Sequence, residues 1–219
     1  MKRFAGIAAV CLVAILGAGV SNARAQSVPA EKMYGEFNFG PTLGHQSSGF
    51  FGFDFGYRLT PGLDIVAEVS HMNNVGTSDL DNRATVIANA IGGTSSSAFK
   101  VTEFAAGIRY RIPVASRFEP YALAEFGVAN VKTEVEFAVN GQPVDPASVG
   151  VQLGADLSGT LNKPIFVIGF GVNYTFKSRY FADLGYRFGE IFPNKDAFET
   201  DTGIPTQRII FGVGVRFWK

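Results

Sequence analysis

Phe51, Phe53, Phe55, Tyr57 and Leu59 alternate with Gly52, Asp54, Gly56 and Arg58, and this beat of apolar residues against glycine or charge returns along the chain as far as Phe217. Successive side chains of a β-strand point to opposite faces, so each such stretch forms a ribbon with one apolar and one polar or bare face. The apolar face is rich in aromatics. The other carries glycines and charges in place of the Ser, Thr and Lys of a solvated surface. That pairing fits strands with lipid outside and a narrow polar lumen inside.

Read with a period of two, the chain yields eight strands. The first covers about Met33 to Leu43, with Phe37 and Phe39 opposite Glu36 and Asn38, and Pro41 to Ser48 joins it to the Phe51 to Leu59 ribbon. The third follows the turn signal Thr60-Pro61-Gly62 and sets Ile65, Ala67, Val69 and His71 against Asp64, Glu68 and Ser70. The fourth sets Phe104, Ala106, Ile108, Tyr110 and Ile112 against Glu103, Gly107, Arg109 and Arg111.

The fifth, about Pro120 to Phe137, carries two conflicting registers. Tyr121 and Leu123 suit one, and Ala124, Phe126 and Val128 suit the other, so the pattern predicts a bulge near Glu125. The sixth points Phe166, Ile168, Phe170, Val172, Tyr174 and Phe176 outward and Gly169, Gly171, Asn173 and Thr175 inward. The seventh opposes Tyr180, Ala182, Leu184, Tyr186 and Phe188 to Asp183, Gly185 and Arg187. The eighth opposes Ile209, Phe211, Val213, Val215 and Phe217 to Arg208, Gly212, Gly214 and Arg216.

Connection lengths set the topology. Short links at Thr60-Pro61-Gly62, Pro113 to Phe118 and Lys177-Ser178-Arg179 alternate with long ones at 73–98, 138–163 and 190–206. Short turns at one end and long loops at the other describe an all-β, eight-stranded antiparallel up-and-down transmembrane β-barrel, with periplasmic turns and external loops. Closure leaves no strand edge unpaired in lipid. In the second long loop, Leu80, Ala84, Ile87, Ala88 and Ile91 fall at helical spacing behind Ser78 and Asp79, which predicts a short helix capped by one of these two. The run Gly92-Gly93-Thr94-Ser95-Ser96-Ser97 after it reads as flexible. Asn140-Gly141 predicts a hairpin that extends strand five above the membrane. A ten-stranded count using that hairpin would place Pro143 and Pro146 in membrane strands, which disfavours it.

The start of the chain reads as a secretory signal peptide: Met1-Lys2-Arg3 is basic, Phe4 to Val20 is free of charge, and Ala23-Arg24-Ala25 offers a small-x-small cleavage pattern. The expected organisation is a signal peptide at 1–25 and one β-barrel domain at 26–219, starting at Gln26. The only cysteine, Cys11, lies within the apolar stretch, so disulfides, thiol chemistry and cysteine-ligated zinc are excluded from the mature chain. Loss of Lys2, Arg3 and Arg24 with the signal removes bases and no acid, and the weakly acidic remainder is a poor ligand for nucleic acid.

With the signal peptide, the eight ribbons, the Pro120-Tyr121 opening of strand five and the terminal alternation of Ile209, Phe211, Val213, Val215 and Phe217, the chain resembles the eight-stranded bacterial outer-membrane β-barrels of OmpA, OmpX and OmpW type over its whole mature length. The resemblance implies location in the outer membrane, contact with its lipid and lipopolysaccharide, and recognition of the C-terminal strand by the outer-membrane assembly machinery. Trp218 and Lys219 depart from the family pattern, which ends on the aromatic.

An eight-stranded lumen is just wide enough for side chains to fill. Its inward set combines Glu36, Asp54, Glu68, Glu103 and Asp183 with Arg58, Arg109, Arg187, Arg208 and Arg216, which predicts ion pairs across the lumen. The inward glycines predict gaps that water or a slim ligand would fill.

Three functions compete. The first is a non-enzymatic barrel with a charge-plugged lumen, whose long loops serve envelope integrity or contact with host or cell-surface ligands. The second is an OmpW-like narrow channel for small apolar solutes, with a mouth pocket lined by Leu80, Val86 or Leu153. The third is a PagL-like lipid A hydrolase, which resemblance would equip with a His, a Ser and an acid. His45-Gln46-Ser47 lies in the first external loop rather than on a late strand, and His71 has no serine at a matching offset, so His45 reads as a solvated loop residue and His71 as an interfacial one near the rim. The expected set of catalytic, cofactor-binding and metal-binding residues is therefore none, and no cofactor is implied.

Overall fold

The computed structural model describes residues 31–112, 117–151, 159–177, 179–193 and 203–218. The predicted signal peptide and the cleavage before Gln26 lie outside the described residues, as does Leu153. The strands are β1 (Met33–Leu43), β2 (Ser48–Thr60), β3 (Leu63–Met72), β4 (Thr94–Arg111), β5 (Phe118–Val139), β6 (Gln142–Pro143), β7 (Gly159–Thr175), β8 (Tyr180–Ile191) and β9 (Ile204–Phe217). Among the described residues, one helix, α1 (Ser78–Ala90), and a 3₁₀ turn at Pro146–Val149 lie in the long connections. Among the described residues no helix is long and apolar enough to cross a membrane.

Eight long strands follow one another around a ring of antiparallel pairs, which closes where β4 pairs β5 and β1 pairs β9. This is the predicted up-and-down barrel. The alternation drives it, because it places Phe53, Phe55, Phe104, Phe126 and Phe170 outside and exposed while Asp54, Glu68, Arg109 and Arg187 are buried inside. Phe170, at 63% exposure, sits in the middle of this outer belt.

Three expectations need correction. β5 has no bulge near Glu125, since its register runs unbroken against both β4 and β7. Tyr121, Leu123 and Glu125 all point inward and Ala122, Ala124, Phe126 and Val128 outward. The conflict arose because Tyr121 and Leu123 are apolar residues that belong to the lumen. The irregular pairing lies instead between Arg58 and Thr60, at the tight Pro61-Gly62 turn.

The run Thr94 to Ser97 is strand, not a flexible linker, because it pairs residue by residue with Ala138 to Val135 of β5. Backbone pairing with a long neighbour outweighs the weak local preference of serines. The cap of α1 is Thr77, whose hydroxyl accepts from the Leu80 amide, one residue before the expected Ser78 or Asp79.

The Asn-Gly hairpin forms as expected. Asn140 and Gly141 both take positive φ, 52° and 76°, and Val139 pairs Gln142. β6 is only two residues long, so no ten-stranded barrel results.

Candidate functional site

The lumen is built in tiers. At the short-turn end, Arg111 reaches Asp64 at 2.7 Å and Glu119 at 3.7 Å, Arg58 lies 3.8 Å from Asp64, and Arg216 donates to Glu119 and Thr175 at 2.8 Å each. In the middle, a line of alternating charge crosses the barrel: Glu36, Arg109, Asp54, Arg187, Glu68, Arg208 and Glu103. Arg109 donates to Glu36 at 3.2 Å and to Asp54 at 2.9 Å. Arg187 continues the line from Asp54 to Glu68, and Arg208 donates to Glu68 at 2.6 Å, to Ser70 at 2.8 Å and to Glu103 at 3.0 Å. The seven side chains come from β1, β2, β3, β4, β8 and β9, so the line ties most of the ring together.

Rings fill the space that the inward glycines leave. Tyr34 lies over Gly56, Phe181 over Gly214, and the Tyr121 hydroxyl over Gly171 and Gly185, so a Cβ at any of these positions would collide with the ring. The predicted water-sized gaps are therefore occupied by protein at these four positions. Aromatic faces also sandwich the cations: Arg109 lies 4.4 Å from the Tyr121 centroid and 5.2 Å from that of Tyr34, and Arg208 5.5 Å from that of Phe50.

Towards the long-loop end the lumen turns apolar, which the inward charges did not foretell. Phe50, Met72, Phe99, Val101, Val131 and Ile165 form one buried cluster, into which α1 inserts Leu80. Leu80 thus belongs to the core, whereas Val86 of the same helix is 67% exposed, so the two line no common pocket.

At the mouth beyond this cluster, a cavity of about 180 Å³ is lined by Thr42, His45, Gln46, Asn74, Thr77 and Gln207 among others. Asp81 of α1 is the hub beside it. His45 Nε2 lies 2.8 Å from Asp81 Oδ2, Gln46 Nε2 donates to the same oxygen at 2.7 Å, and the Ser97 hydroxyl donates to Oδ1. In acyl hydrolases the imidazole stands between the hydroxyl and the acid, so that it can take the proton. Here the acid stands between the imidazole and the hydroxyl, an order that activates neither.

Sequence reading placed His45 in solvent; it is half-exposed and tied to the helix. Nothing in the sequence linked it to Asp81 and Ser97, which lie in separate segments. His71 sits in the outward row, its Nδ1 2.9 Å from Thr102 Oγ1 and its ring 5.6 Å from that of Phe51. Among the described residues, no group of three or more His, Cys, Asp and Glu side chains is arranged to hold a metal ion.

Above the outer aromatic belt, β4 and β5 continue as a polar ribbon. Lys100 and Lys132 face each other across the pair, and Glu134 bridges them at 2.7 and 2.8 Å.

The model of the outer membrane protein beta-barrel domain family matches residues 8–217. No curated protein matches the chain. Among solved structures, the neisserial surface protein A is similar at 16% identity with a TM-score of 0.52, over 84% of this chain and 96% of that one. The N-terminal β-barrel domain of Pseudomonas aeruginosa OprF is similar at 15% identity and a TM-score of 0.49, over 85% and 98%. Ail, the attachment invasion locus protein of Yersinia pestis, is similar at 14% identity and 0.46, over 85% and 97%. At such identities the structural likeness speaks to the fold alone. The family match spans nearly the whole chain, and with the closed eight-stranded ring and its aromatic belt it identifies the chain as an outer-membrane protein that belongs to the outer membrane protein beta-barrel domain family.

Proposed function

We propose that this outer-membrane barrel is non-enzymatic and closed to solutes, and that its extracellular loops serve envelope integrity or surface interaction. The observation that carries the reading is the line of seven alternating charges across mid-lumen, with the apolar cluster around Leu80 stacked above it. A solute would have to break several buried ion pairs and then part a packed apolar layer, and a buried pair that loses one partner costs about 3–5 kcal/mol.

In this reading residues 1–25 direct export and are removed, lipid and lipopolysaccharide surround the aromatic belt, and β9 presents Ile209 to Phe217 to the assembly machinery. The loops, held by α1 and by the ribbon of β4 and β5, form the surface offered to cell-surface ligands. The apolar-solute channel has less support, because Leu80 is sequestered and Val86 faces outward. The hydrolase has less still, given the position of Asp81 between His45 and Ser97.

Swelling of proteoliposomes in uncharged solutes tests closure. The expected rate equals that of protein-free vesicles, and a rate that rises with protein content and falls with solute size would overturn it.

A further inference from the structure

One set of lumen groups gathers at the Glu36 end of the charge line. Gly212 of β9 lies directly between Asn38 of β1 and Asp183 of β8 in the sheet register, and Glu36 is the next inward residue on β1. All three side chains are buried, with exposures of 2% for Glu36, 1% for Asn38 and 5% for Asp183. A Cβ on Gly212 would strike Glu36 Oε1 and Asn38 Oδ1 and come within 2.9 Å of Asp183 Cβ, so the three side chains converge on the space that this glycine leaves. No ring fills it, in contrast to Gly56 and Gly214.

The polar atoms in that space are left over from the other bonds. Glu36 uses Oε2 to accept from Arg109, and Asp183 uses Oδ2 to accept from the Tyr121 hydroxyl at 2.6 Å. Glu36 Oε1, Asp183 Oδ1 and both amide atoms of Asn38 find no complementary protein donor or acceptor, and the Glu36 and Asp183 carboxyl groups lie within hydrogen-bond reach of each other. A buried polar atom without a partner costs about 1–3 kcal/mol, and more when charged, so four such atoms in one place call for a further occupant.

Its chemistry follows from the donor set. Three oxygens face one amide N–H₂, so acceptors are in excess. Two of the oxygens belong to carboxyl groups, and Arg109 is shared between Glu36 and Asp54, which leaves negative charge to be balanced. With oxygen ligands and no thiol or imidazole, the match is a hard cation of the calcium or sodium class, with solvent completing its shell.

We propose that the lumen binds such a cation on Glu36 Oε1, Asn38 Oδ1 and Asp183 Oδ1 over Gly212. The site shares the lumen with the closed-barrel reading but does not depend on it: conductance and swelling test closure, and cation binding tests the site.

Terbium is the probe, since Tyr121 is bonded to Asp183 and would sensitise its emission. Protein purified from outer membranes in detergent, stripped with a chelator and refilled, should give saturable tyrosine-excited terbium emission that calcium displaces. Asn38→Leu should reduce the emission at least tenfold, whereas Asn38→Asp, which keeps an oxygen at that place, should retain it. Gly212→Ala serves as a second loss variant, with heat-modifiable gel mobility reporting folding in each case. Absent emission in the wild type, or emission unchanged in folded Asn38→Leu or Gly212→Ala, would overturn the proposal and leave water, or a proton shared by the two carboxyl groups, in that place.

Discussion

Mid-lumen and mouth are both polar and both tied by carboxylates, yet they are built in opposite ways. In mid-lumen, Arg187 meets Glu68 and Arg208 meets Glu68 across sequence separations of 119 and 140 residues, among side chains at most 1% exposed. At the mouth, Asp81 meets Ser97 and Gln46 at separations of 16 and 35, and its partner His45 is 48% exposed. The first network exists only once the ring has closed, and its charges have no water to fall back on. The second stitches neighbouring loops, and water can replace any of its bonds. The same residue types therefore act as a determinant of the closed barrel in one place and as a loop fastening in the other.

The sharpest way to break this contrast is Arg187→Ala. It takes from both Asp54 and Glu68 one of their two arginine partners in the interior and should cost about 3–5 kcal/mol in urea unfolding from lipid vesicles. Replacing Arg187 and Glu68 together by leucine should recover most of that loss, since no charge then remains unanswered at that point. A single and a double variant of equal stability would refute the assignment.

Phe170→Arg probes the outer wall at the same depth, and a cation at the bilayer midplane should cost about 2–4 kcal/mol. An unfolding free energy equal to wild type would mean that β7 does not present this face to lipid.

At the mouth the effects shrink. Thr77→Ala removes the cap of α1 and should cost about 1 kcal/mol, seen as faster amide exchange in 78–90 with the barrel amides unchanged. Barrel amides that loosen equally would show that the helix is part of the ring's stability and not a separate fastening.

The smallest effect is expected on the exposed ribbon. Hydrogen bonds from Lys100 and Lys132 hold the Glu134 carboxyl down to about 2. A group depressed in the folded state adds stability above its unfolded value and loses it as pH falls through the folded one, so acidification to about pH 4 should leave this bridge intact. The carboxyl carbon shift of Glu134 should titrate near 2, and a midpoint in the ordinary carboxylate range would show that water and not the lysines satisfies it.

Much of the barrel was legible because lipid enforces alternation on the outer face. The bounds of β1 and the outward rows of β7, β8 and β9 follow from it directly. The inner face has no such rule. Tyr121 and Leu123 look like lipid-facing residues until Gly171 and Gly185 on the neighbouring strands are seen to make room for a ring. The charges of the lumen could be named from the period, but their partners could not, since Arg208 to Glu103 is a contact through the middle of a ring and not along a strand. Asp81, Ser97 and His45 carried no pattern at all, because three separate loop segments meet only after the strands are placed. Thr94 to Ser97 was read from serine preference and decided by pairing with β5.

Single-channel recording of the purified protein in planar bilayers tests the closed lumen most directly. Flat records are expected for the wild type and ion-conducting steps only when the line is opened, as in an Arg187→Ala and Arg208→Ala double variant that still folds. Reproducible steps through the wild-type barrel would contradict it.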